Sequence, residues 1–131
     1  MKITNIQAVN MINTLAAMGD KILPREVSYA VGKNLEALQV QIYKPYEKEL
    51  EKINQRYMVL DGNNNQKMDA CGRPVYTDPL AHKKELETLC EIENDFKMHT
   101  VSKEQLEQCD DGKYSGLTVR EQMALMKMLE G

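Results

Sequence analysis

The sequence predicts a mainly α fold with a minor β part. Apolar residues recur at helical steps of three and four from Val27 to Tyr57. Boxes of the form Thr/Ser-x-x-Gln/Glu stand at Thr4, Ser102 and Thr118, each able to open a helix. Turn chemistry is crowded into Asp61–Asn65 and Cys71–Pro74, which confines irregular structure to one stretch. The expected architecture is an antiparallel helical hairpin with a long Pro-kinked helix. A small C-terminal part follows, with one or two short strands and a final helix. Residues 1–131 read as a single domain: 1–57 form the hairpin and arm, and 58–131 a smaller acidic α+β part.

The first helix is expected from about Asn5 to Met18, with Ala8, Ile12, Leu15 and Ala16 on one face. Gly19 suits the left-handed position that ends a helix. A short connector leads to Pro24, which needs no amide hydrogen at the start of the next helix. Short connectors make antiparallel neighbours. The second helix would be about 50 Å long through Tyr57, whereas a compact domain of this length is roughly 36 Å across. Pro45 cannot donate to the Gln41 carbonyl, so a kink is expected there rather than a loop. Gly32, alone within this helix, reads as a close-packing point against the first. The first helix is too short to cover the arm Tyr46–Tyr57. The third helix, the last helix or a partner must do so.

Tyr57–Leu60 and Val75–Thr77 are expected to form a short irregular hairpin. Asp78-Pro79 opens a third helix to about Ile92, with Leu86, Leu89 and Cys90 inward. Phe96, Met98 and Thr100 alternate with polar neighbours and predict a strand. Ser102 begins a single turn carrying Leu106. Thr118-Val119-Arg120-Glu121 is the best capping box and opens a final helix with Val119, Met123, Met126 and Leu129 or Met128 facing in. The sequence contains no evident internal repeat.

Hydrophobic residues make up 42% of the chain and charged residues 28%, a globular composition. With no Trp and one Phe, methionine and leucine must fill the interior. The net charge of −3 speaks against direct nucleic-acid binding. Charge is also uneven, with a positive balance up to Tyr57 and a negative one beyond it. Glu91, Glu93, Asp95, Glu104, Glu107, Asp110 and Asp111 make a candidate acidic surface, read first as a solvated face and second as a surface for a basic partner. Three widely spaced cysteines form no disulfide framework. No stretch reaches the length of a membrane span or a signal-peptide core. The expectation is a reduced, cytoplasmic protein without membrane contact.

No motif rises to a reaction mechanism. Asp61, Asn63 and Asn65 match the first ligands of an EF-hand loop, but Gln66 stands where glycine is needed and Gly72 where a bidentate glutamate is needed. Cys71, His82, Cys90, His99 and Cys109 lack the close pair that zinc sites use. No metal and no cofactor is expected, nor a Cys71–His99 nucleophile pair. Glu47, Glu49 and Glu51 interleave with Lys44, Lys48 and Lys52 and read as a self-neutralised face. The candidate partner-binding residues are Tyr43, Tyr46, Leu50, Ile53 and Tyr57, the apolar stripe of the arm with one tyrosine beside it.

The opening Met1-Lys2-Ile3-Thr4-Asn5, the long helix through Lys44-Pro45-Tyr46-Glu47, the Asp61-Gly62 turn and the closing Leu117-Thr118…Glu121…Met128-Leu129 resemble small proteins encoded in tailed phages and prophages of Gram-positive bacteria. The resemblance spans most of the chain as an order of elements. It supplies no catalytic residues and implies a role in the bacterial host cell or in the particle. The expected function is non-enzymatic binding of a protein partner, whether itself, a phage protein or a host protein, through helical faces. The alternative is an anti-CRISPR-like inhibitor of a bacterial defence system, whose acidic surface blocks a basic nucleic-acid groove.

Overall fold

A computed structural model of the chain describes residues 1–130. Strand β1 (Lys2–Thr4) leads directly into helix α1 (Asn5–Ala17). Thr4 completes a capping box: its hydroxyl accepts from the Gln7 amide at 3.2 Å, and Gln7 Oε1 accepts from the Thr4 amide at 2.9 Å. The helix ends differently from expectation. Met18 and Gly19 donate to Leu15 and Ala16, so the last turn tightens to i→i−3 bonds. Gly19 is absent from the positive-φ positions, which are Asn64, Gly72 and Asp78 among the described residues.

Helix α2 (Arg25–Leu38) passes through a π-helical turn (Gln39–Tyr43) into α3 (Lys44–Tyr57) without a loop. The irregularity precedes Pro45 rather than centring on it. Lys44 donates to the Gln39 carbonyl five residues back, the wider spacing that defines a π turn. A proline that cannot bond to Gln41 thus sits just past a turn already widened, and the chain stays helical.

Gly32 does not play the close-packing role expected of it. It lies on the exposed side of α2, and a Cβ there would meet nothing within 4 Å. Its cost is purely conformational, so Gly32→Ala is expected to raise the free energy of unfolding by about 0.5–1 kcal/mol in urea titration. A destabilising result would show that the glycine has a contact the fold conceals.

Helix α4 (Pro79–Glu91) opens on Asp78, whose carboxylate accepts from the Ala81 amide at 3.2 Å. This helix covers the arm. Ile53 is buried, and Tyr46, Leu50 and Tyr57 are half-buried. Asn54 Oδ1 lies 2.8 Å from His82 Nε2, and Arg56 donates to Glu85 at 2.7 Å. His82 also stacks on Tyr76 at 3.8 Å and meets Tyr57 edge-on. The arm is therefore covered within the chain, by α4, the helix that the sequence predicts to open at Asp78-Pro79.

Between α3 and α4 the expected hairpin forms, with Met58 opposite Tyr76 and backbone bonds from Val59 to Val75 and from Thr77 to Tyr57, and it takes in a third short segment through bonds from Lys67 to Val59 and from Val75 to Lys67. Its two turns are built alike, a repeat that sequence reading missed. Asp61 Oδ1 accepts from the amides of Asn63 and Asn65, and Asp69 Oδ1 from those of Cys71 and Arg73. The fourth residue of each, Asn64 and Gly72, has positive φ. This is a type I turn closed by a left-handed residue.

The strand expected at Phe96–Thr100 is displaced. Strand β2 (Glu93–Asp95) pairs antiparallel with β1, Ile3 opposite Asn94. Phe96 continues this pairing, exchanging backbone bonds with Met1, but His99 pairs with a side chain instead. Asn34 of α2 donates to the His99 carbonyl at 2.9 Å and accepts from its amide at 2.7 Å. Phe96 and Met98 point inward as expected, but Thr100 is exposed and Val101 buried. Helix α5 (Lys103–Glu107) follows its Ser102 capping box, then helix α6 (Val119–Met126) follows that of Thr118. One core joins both parts of the chain: Leu15, Val27 and Leu38 pack in the same cluster as Phe96, Val101, Leu125 and Met128.

Candidate protein-binding site

Helix α6 buries Met128 just beyond its end as periodicity predicts, but along its length it turns the opposite face inward. Its buried face consists of Glu121, Ala124, Leu125 and, just past its end, Met128. Val119, Met123 and Met126, expected inside, are 76%, 59% and 60% exposed. At about 100° per residue these three form one stripe, roughly opposite the buried face. The helix thus carries two apolar stripes, one in the core and one in water.

A buried carboxylate explains which stripe goes in. Glu121 closes the capping box on the Thr118 amide at 2.9 Å and accepts from Lys21 Nζ at 2.6 Å. Lys21 also donates to the Gly116 carbonyl at 2.7 Å. The Lys21 bond, and then the Thr118 amide, hold the Glu121 carboxyl below its ordinary value. Two further bonds, from Ile22 N to Ser115 Oγ and from Ser115 N to the Ile22 carbonyl, tie the connector before α2 to the loop before α6. With its first turn held this way, α6 turns Leu125 inward and Met123 outward.

Beside the outer stripe lies a groove of about 980 Å³ between α1 and α6. The α1 wall is Asn10, Asn13, Thr14 and Ala17, at i, i+3, i+4 and i+7. No charged residue occurs from Ile3 to Gly19, so this wall is polar but uncharged. The α6 wall adds Val119, Met123, Arg120 and Lys127. Exposed methionine and arginine beside a charge-free surface match the composition of interface cores. Sequence reading passed over this site, although the uncharged run of α1 was visible and could have marked it.

The residues nominated from sequence lie elsewhere. Tyr43 packs against the core edge, 6.2 Å from Tyr46 between ring centres. The Tyr46 hydroxyl lies 3.9 Å from Cys90 Sγ, and burial, then this contact, raises its phenol above the ordinary value. Leu50, Ile53 and Tyr57 line the side of α3 that α4 covers. Of the acidic residues, Glu91 ends α4, Glu93 and Asp95 lie in β2, Glu104 and Glu107 on α5, and Asp110 and Asp111 just after it. All seven are exposed. Asp95 is 3.7 Å from Lys2, and Glu107 is 4.0 Å from Lys103.

Among the described residues, no group of three or more His, Cys, Asp or Glu side chains is placed to hold a metal ion. Cys71 is exposed, while Cys90 and Cys109 are half-buried and free. No described helix is long and apolar enough to cross a membrane. Comparison of the chain with protein families, curated proteins and solved structures gives no match.

Proposed function

We propose that this chain is a non-enzymatic protein-binding protein that acts through a helical face, encoded by a phage or prophage and working in assembly or host takeover inside a bacterial cell. The observation that supports the binding role is the outer stripe of α6. Single exposed apolar residues are ordinary on a protein surface. Three in helical register, next to a helix wall without charge, make a contiguous patch of the kind that marks interaction sites. The phage origin rests on the resemblance of the opening, arm and closing segments. Two of the seven candidate acidic residues already face lysines of this chain, which weakens the case for a nucleic-acid mimic.

The test is site-specific photocrosslinking in the producing bacterium. A crosslinking residue at Met123 is expected to give a discrete adduct with a second protein, and one at Leu80, which is 81% exposed and far along the chain, none. Val119→Asp should remove the adduct. Equal, diffuse labelling from both positions would defeat the reading. An adduct formed only from Glu104 or Asp111 would favour the acidic-surface alternative.

A further inference from the structure

We infer that the groove between α1 and α6 takes an amphipathic helix whose apolar stripe is flanked on one side by carboxylates; this inference rests on the binding role proposed above. The apolar anchors in the groove are Val119 and Met123, at i and i+4, and Met126 at i+7 continues their exposed stripe along α6 just outside it, the spacing at which one helix reads another laid along it. Asn10 and Asn13 on the facing wall offer hydrogen bonds without imposing a charge.

Charge selects the occupant. Glu121 is buried and occupied by Lys21, and α1 contributes none. The exposed charges of the groove are Arg120 and Lys127, both positive in a chain of net charge −3. They lie on the same side of the stripe, seven residues and about 10 Å apart along the helix. A second copy of α6 packed antiparallel would set this cationic edge against itself, and like charges brought together oppose pairing. An acidic flank with the same seven-residue spacing meets both cations at once.

Two labelled helical peptides test the assignment. They share an apolar i, i+4, i+7 stripe and differ only in a flank of Glu or of Lys. Each is titrated with the intact chain by fluorescence anisotropy, and circular dichroism verifies that every variant is folded. The Glu peptide is expected to bind at least tenfold more tightly than the Lys peptide. Arg120→Glu with Lys127→Glu should reverse that order, and Met123→Asp should abolish both interactions. Equal affinity for the two peptides, or binding indifferent to Met123→Asp, would overturn the inference. So would a concentration-dependent dimer in sedimentation that Met123→Asp dissolves, since a second copy would then fill the stripe. If neither peptide binds while the Met123 adduct persists, only the acidic-helix assignment falls; loss of the adduct as well removes the binding role beneath it.

Discussion

Asn34→Leu is expected to lower the free energy of unfolding by about 3 kcal/mol, because it strands two backbone groups at once. Asn34 is 1% exposed, and its amide pairs with both the N–H and the C=O of His99. Leucine has nearly the same volume, so little of the loss comes from a cavity. What disappears is the partner of a segment with no neighbouring strand at that point. Amide exchange at His99 should quicken along with the fall in stability. Asn34→Asp separates the two bonds. A carboxylate still accepts from the His99 amide but faces its carbonyl oxygen with no proton to give. Protonation restores the donor, so this variant's carboxyl should titrate above the ordinary Asp value of about 3.9. Its contribution is then present at low pH and lost as pH rises through the raised value. The variant should therefore be relatively less impaired at pH 4 than at pH 7 in urea titration. A loss below about 1 kcal/mol for Asn34→Leu, without faster exchange, would show that solvent satisfies His99 equally well.

The same residue shows where sequence reading ends. Caps are local, so Thr4, Asp78, Ser102 and Thr118 could be read from four or five letters, and each opens a helix in the structure. The pairing of Asn34 with His99 joins residues far apart in sequence, and an asparagine inside a helix announces no partner. A strand was expected from the alternation of Phe96 and Met98; the alternation is real, but it reports only which side chains point inward. The π-helical turn escaped for a different reason. One inserted residue shifts the apolar phase by about 100°, and with Ile42, Tyr43 and Tyr46 all apolar the stripe looks unbroken on either count. The cover over Leu50 and Ile53 depended on docking between α3 and α4, whose contacts run through His82 and Glu85, residues that read as polar surface. The candidate site was the least legible part, since recognising it requires knowing which stripe of α6 faces water.

Leu125→Ala is expected to cost about 3 kcal/mol, whereas Met123→Ala and Val119→Ala on the same helix should each change stability by less than about 0.5 kcal/mol. Leu125 is fully buried in the shared core, and truncating it leaves a cavity in a close-packed cluster that relaxes only in part. Met123 and Val119 project into solvent, and alanine suits a helix at least as well as either. Chemical denaturation of the three single variants measures the contrast directly. Equal losses at Met123 and Leu125 would mean that α6 is rotated by about half a turn, returning it to the arrangement that periodicity predicts. The patch beside α1 would then lose its apolar stripe, and with it the physical basis for a partner. A large loss at Leu125 alone leaves Met123 and Val119 without a folding role. Exposed apolar side chains are tolerated singly, but three in register create an association hazard. That contrast is what the binding role proposed for the stripe requires.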